Sequence, residues 1–345
     1  MQKKIFLVTM MLHLISWSAT PALSVGGVVD LYFEGNNAPT SKTGQTGFEF
    51  SRLELVPRFD FQPELQFEMR FDLAEERSAN RGYQSKLENA FFSWSPVQRP
   101  EQTHQIGLVR PEWRTQEGLT AHFDNFGDSS KNLARRFHFL SDGDLGYQFL
   151  KTYQDAYKLA LGIINGEENK SAEIGPSKEA FLGLFKVEDL SRWGLWLSYG
   201  RVDNIDDKFS EKTRVMGRWQ RPWGRFRGGV EFFFAQDASS DLENQARAEG
   251  ITFTELTNLR TISTQAYRVE IYYQLSPLEQ FLLRHDNLTT EIKGKSLESF
   301  SLAWVRNEPD LFDWGLFYEN TYYGEAHSAQ SRQIERVRLG VSKSF

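Results

Sequence analysis

The sequence predicts an all-β fold, a transmembrane antiparallel β-barrel of about sixteen strands with a long third outer loop folded inward. Three observations lead there. Segments with apolar residues on one parity and charged residues on the other recur along the chain. The connections between them alternate in length, and the final strand runs to an aromatic, Phe345, with no polar tail. A period of two is the signature of a strand with two unlike faces. An ion-rich face could not fill a dry core, because unpaired buried charge is prohibitive. It suits a wall with lipid on one side and water on the other.

The chain opens MQKKIFLVTMMLHLISWSATPALS, with Lys3 and Lys4 before an apolar run and small residues at Ala22 and Ser24. That is the layout of a secretory signal peptide over 1–24, with the barrel occupying 25–345 and cleavage near Ser24. No later stretch is apolar for the roughly 18 residues that a membrane helix needs. Mean hydropathy is −0.51, yet aromatics make up 14% of residues, which fits strands better than a polar soluble domain. The absence of cysteine excludes a disulfide scaffold, so an exported chain of this kind draws stability from burial and closed hydrogen bonding.

In order, the strands are expected near 26–34, 47–59, 63–74, 83–95, 103–113, 144–153, 155–165 and 178–188. The second half continues near 192–202, 211–221, 224–236, 261–275, 279–289, 295–307, 312–323 and 333–345. "ELQFEMRFDL" sets Leu65, Phe67, Met69, Phe71 and Leu73 against Glu64, Gln66, Glu68, Arg70 and Asp72. "YRVEIYYQL" and "RVRLGVSKSF" repeat the pattern. Short connections such as "DFQP", "RPWG" and "LSPLE" alternate with longer ones, of which 290–294 alone is short. Outer-membrane barrels pair short periplasmic turns with longer outer loops. Trp94, Trp193, Trp219, Trp223, Trp304 and Trp314 all fall beside short turns, where an interfacial aromatic belt would lie. Leu53, Leu55, Leu65, Phe67, Met69, Phe226, Val230, Phe232, Val269, Ile271, Leu339 and Val341 are expected to face lipid.

The opposite parity gives an inward basic set: Arg52, Arg58, Arg70, Arg214, Arg218, Arg225, Arg227, Arg268, Arg284, Arg336 and Arg338. Glu54, Glu64, Glu68, Asp72, Glu231, Glu270 and Asp286 are its acidic counterpart. Each Arg either tunes the pore field or pairs with a carboxylate across the strand, and for any one residue pairing is the default. The longest connection, 114–143, carries Phe123, Phe126, Phe137 and Phe139 together with Arg135 and Arg136. Connections of that length without structure are uncommon unless functional. Folded into the lumen, this one would narrow it and place both Arg at the constriction.

Several segments resemble the phosphate-selective porin family: "KLENAFFSW" (86–94), "IGLVRPEW" (106–113), "LALGIINGE" (159–167) and "FLLRHD" (281–286). The resemblance implies a water-filled channel in the bacterial outer membrane, a homotrimer, and a terminal Phe345 read by the barrel assembly machinery. The excess of inward Arg over inward carboxylates, with Arg135 and Arg136 on the long connection, points to passive diffusion of small hydrophilic, anionic solutes, with no cofactor, no metal and no catalytic residue expected. One stretch departs from the family: "VDNIDDKFSEK" sets three Asp beside Lys208 and Lys212, where that family concentrates lysine. Other classes are a plugged or structural, adhesin-like barrel and an outer-membrane hydrolase. The hydrolase lacks G-x-S-x-G and H-E-x-x-H, and the mature chain's His104, His122, His138, His285 and His327 are scattered. An acidic chain, at −6, gives no basic surface for nucleic acid.

Overall fold

A computed structural model describes residues 22–36, 46–75, 83–115, 133, 143–154, 156–165, 178–188, 191–203, 209–238, 261–291, 296–308, 312–324 and 333–344. Sixteen strands follow one another as neighbours. They are β1 (Ala22–Asn36), β2 (Thr46–Gln62), β3 (Leu65–Glu75), β4 (Tyr83–Trp94), β5 (Gln102–Val109), β6 (Asp144–Tyr153), β7 (Tyr157–Ile164) and β8 (Lys178–Glu188). The order continues with β9 (Ser191–Asp203), β10 (Phe209–Trp223), β11 (Phe226–Ala238), β12 (Thr261–Ser276), β13 (Glu279–Thr290), β14 (Ser296–Arg306), β15 (Asp313–Tyr323) and β16 (Gln333–Ser344). β16 pairs antiparallel with β1, Leu339 opposite Phe33, and closes the barrel. Closure removes both sheet edges, which is what allows an extended chain to sit in lipid. Among the described residues no helix is long and apolar enough to cross a membrane.

The expected parity holds. Leu55, Phe226, Val230, Phe232, Val269, Ile271 and Leu339 are exposed on the outer face. Leu53, Leu65, Phe67, Met69 and Val341 share that parity and are half-buried by their neighbours. Outward rings pack across strands, with Phe67 4.7 Å from Phe92 between centroids. Trp94, Trp193, Trp219, Trp223 and Trp314 lie exposed at the short-turn end, and Trp304 stands beside them.

Short turns follow from local chemistry. Trp223 pairs with Phe226, leaving a two-residue turn whose first member, Gly224, has φ 61°. Tight hairpins whose twist matches the strands need such a residue, and glycine takes it without a Cβ penalty. Three expectations are corrected. β5 stops at Val109 rather than 113, because Pro111 cannot donate to the ladder, and Glu112–Thr115 form a helical turn, α1. β9 and β10 extend into the expected fifth loop, so the 204–208 connection joins the one at 291–295 in being short, and Lys212 belongs to β10. Arg225 lies exposed in the β10–β11 turn, not on a strand face, its carbonyl accepting the Gln274 amide at 2.8 Å. β1 starts at Ala22, so Ala22–Ser24 pair with Asp60–Arg58.

Candidate functional site

Two kinds of surface line the inner face. On β10 to β16 the register aligns polar groups in rows. One row runs Arg218, Glu231, Arg268, Asp286, Ser299 and Thr321, each directly opposite the next. Arg268 holds Asp286 through two bonds, Nε to Oδ1 at 2.7 Å and Nη2 to Oδ2 at 2.9 Å, and faces Glu231 at 3.8 Å. Such a planar fork is the strong form of an ion pair. A second row, nearer the short turns, runs Gly229, Glu270, Arg284, Ser301, Glu319 and Arg336. Here Gln220 donates to Glu270 at 2.7 Å, Arg284 to Glu270 at 3.4 Å and Ser299 to Glu319 at 3.0 Å, while Arg336 stands 3.9 Å from Glu319. Across β2 and β3, Arg70 meets Glu54 at 2.7 Å and Arg58 meets Glu68 at 3.3 Å.

The expected basic wall is therefore a charge-compensated ladder in which Arg58, Arg70, Arg268, Arg284 and Arg336 each meet a carboxylate. Arg214 and Arg338 are buried on the inner parity, and Arg218 and Arg227 are half-buried there. Arg52 pairs through its backbone with Asp30; its side chain, with Arg135, Arg136 and Phe345, lies outside what is described.

The second surface was missed by sequence reasoning. Phe181 and Phe185 on β8, Trp196 on β9, Met216 on β10 and Phe233 on β11 point inward and are buried. They join Phe91, Val109, Ala160 and Leu297 in one cluster with Trp113 of α1 and Leu133. Phe181 stacks on Trp196 at 4.4 Å, and Phe185 packs on Trp113 at 6.1 Å. The signal was present as broken alternation: "EAFLGLFKV", "WGLW" and "EFFF" are greasy on both parities, which marks a strand buried on both faces.

The chain leaving β5 is held against this wall. The Glu112 amide donates to Gln148 at 3.0 Å, and its carboxylate accepts from Lys158 at 2.6 Å. The Arg218 guanidinium lies 5.1 Å from the Trp113 ring centroid. Leu133 is fully buried, and its amide donates to Glu231 at 3.1 Å.

Neither described histidine faces this lining. His104 on β5 bonds the Tyr147 hydroxyl at 2.7 Å, and His285 on β13 meets Glu298 at 2.9 Å, both on the outer parity. His122, His138 and His327 lie outside the described residues. Among the described residues no group of three His, Asp or Glu is placed to hold a metal ion.

An apolar outer girdle around a charged inner face defines a β-barrel membrane protein. No protein-family model and no curated protein matches the chain, so the resemblance to phosphate-selective porins gains no support from either comparison. Solved structures do match in fold. The anion-selective porin from Comamonas acidovorans aligns with a TM-score of 0.68 at 12% identity, over 94% of this chain and 100% of that one. The outer membrane channel DcaP of Acinetobacter baumannii aligns at 0.65 and 9% identity, over 94% and 98%. OmpT, an outer membrane protein of Vibrio cholerae in its trimer form, aligns at 0.59 and 11%, over 95% and 100%.

Proposed function

We propose that this protein is an outer-membrane porin, a water-filled channel for passive diffusion of small hydrophilic solutes, working without cofactor or chemistry. The observation that carries the reading is the pairing of faces in a closed sixteen-stranded barrel: exposed apolar residues outside, and rows of Arg, Glu and Asp inside. Deep pairs such as Arg268–Asp286 are tolerated by mutual pairing, and exposed ones such as Arg58–Glu68 suit a hydrated lumen, where a charged aqueous path focuses the field on passing ions. The purified barrel, added to a planar bilayer, is expected to give stepwise ohmic conductance. Folded protein that never conducts would overturn the reading.

The connection 114–143 folds inward and constricts the channel. Support comes from the Leu133 amide, within the connection, on Glu231, and from Trp113, the residue just before it, beside Arg218 on the same wall. Arg135 and Arg136 then stand near the narrowest point and give a weak-to-moderate anion preference, in keeping with the fold likeness to an anion-selective porin. Changing both to Glu is expected to move the reversal potential toward cations, and deleting residues 120–136 to raise conductance. Phosphate as the particular solute rests on four short motifs alone, and the Asp-rich stretch at 203–207 weighs against it.

The protomers form a homotrimer, which crosslinking in native membranes would detect. The chain is exported, cleaved near Ser24 and assembled through Phe345. N-terminal sequencing of the membrane form tests the cleavage, and loss of heat-modifiable migration on deleting Phe345 tests the assembly signal. A plugged, structural barrel is the second reading, favoured by the buried apolar cluster that joins Phe91 on β4 to Leu297 on β14. Absence of conductance together with intact folding would select it.

A further inference from the structure

Beside the bonds that Glu112 makes to Gln148 and Lys158, two described contacts of the β5–β6 connection fall on one pair of side chains. Arg218 on β10 and Glu231 on β11 are directly opposite in register. Arg218 sits over the Trp113 ring at 5.1 Å, and Glu231 accepts the Leu133 amide through Oε1 at 3.1 Å. Two points well separated in sequence thus rest on adjacent positions of the inner wall.

The wall behind the pair is arranged for this. Arg268 commits Nε and Nη2 to Asp286 and leaves Nη1 3.8 Å from Glu231 Oε2. That spacing steadies the Glu231 carboxylate electrostatically while leaving Oε1 to the amide of Leu133, a charge-assisted bond. The seat for Trp113 is cleared by glycine. A Cβ on Gly194 would stand 2.9 Å from the Phe185 ring and 3.3 Å from Trp113, and one on Gly183 would stand 2.7 Å from Phe185. Small residues under aromatic rings, next to a cation facing the indole, form a built receptacle rather than a chance contact.

We propose that Arg218 and Glu231 are a positioning pair that clamps the β5–β6 connection at Trp113 and Leu133, and so fixes the channel's constriction against β8–β11. The proposal rests on the pore reading above. It predicts a division of labour between neighbouring rows: Arg218–Glu231 holds the connection, and Arg284–Glu270 ties wall to wall. The roles of the two clamp members are not interchangeable. Glutamate cannot place a cation over Trp113, and arginine cannot accept an amide hydrogen.

A single cysteine at Leu133 tests this directly, because the chain has no native cysteine and the change keeps the backbone amide. In the otherwise unchanged barrel, Leu133→Cys is expected to resist a water-soluble maleimide. Adding Glu231→Ala is expected to raise the labelling rate about tenfold or more, the usual scale for losing a hydrogen bond to a charged group. The exchanged pair Arg218→Glu with Glu231→Arg is the decisive variant. It keeps an attraction across β10–β11 but sets two guanidiniums opposite each other across β11–β12, so its fold is checked first by heat-modifiable migration; once folded, it is expected to label as fast as Glu231→Ala and to give noisy, frequently closing channels. Glu68→Ala, which breaks the exposed pair with Arg58, is expected to leave labelling at its starting rate. Protection in the exchanged variant would reduce the pair to an ordinary wall contact and overturn the proposal. Wild-type protein that folds but never conducts would instead overturn the pore reading.

Discussion

Arg58 and Arg284 share the inner parity and each faces a glutamate across a strand pair, yet their surroundings differ. The Arg58 side chain is 47% exposed and meets Glu68 at 3.3 Å, while that of Arg284 is 0% exposed and meets Glu270 at 3.4 Å. Water screens the first pair, and exposed pairs contribute about 0–1 kcal/mol. The second leaves a buried carboxylate without its cation when Arg is removed, a loss of roughly 3–5 kcal/mol in buried settings. Arg58→Ala is therefore expected to change unfolding in urea and detergent by less than about 1 kcal/mol, and Arg284→Ala by several times more. Equal costs for the two would mean that the inner rows are uniformly hydrated. Sequence parity put both side chains inside, but it carried no information on depth, because burial depends on which other segments share the lumen.

Among the elements, the strands were legible because lipid and water impose a period of two along most of them. Where a third material, the connection after β5, packs on the wall, the period fails: Phe181, Phe185, Trp196 and Phe233 turn greasy side chains inward, and the pattern alone named no partner for them. β5 ended early for a local reason that the sequence did show, Pro111, and the helical turn after it aims Trp113 at the wall. Turns were legible wherever glycine supplied the geometry. Gly224 has φ 61° and open space where a Cβ would stand, so Gly224→Ala should cost only the conformational penalty, about 1–2 kcal/mol, and Gly224→Asn less. Thermal or denaturant unfolding of the two variants checks the order. On β16, Leu339→Arg should cost about 2–4 kcal/mol against lipid. In single-cysteine variants, an aqueous thiol reagent should reach position 336, which is part-exposed on the inner parity, through the lumen and spare 339; the opposite pattern would invert the faces.

For the whole molecule, several inner Arg are compensated by a carboxylate, so in the channel proposed above selectivity depends on which pairs present a residual field to the ion path. Arg336 is the telling case. Its side chain is 25% exposed, whereas its partner Glu319 is 3% exposed and also accepts from Ser299 at 3.0 Å. The cation of this pair faces water more than the anion does. Glu319→Gln keeps the side-chain volume and an oxygen for Ser299, and it removes the carboxylate that offsets Arg336. The barrel should fold as before, and its reversal potential in a potassium chloride gradient should move toward anion preference. The shift should grow as the baths are diluted, because the screening length rises from about 10 Å at 0.1 M salt to about 30 Å at 0.01 M. Arg336→Gln should move the potential the opposite way. If neither variant shifts it even in dilute salt, the β15–β16 wall lies off the ion path, and selectivity would have to arise elsewhere, as the proposed constriction would provide.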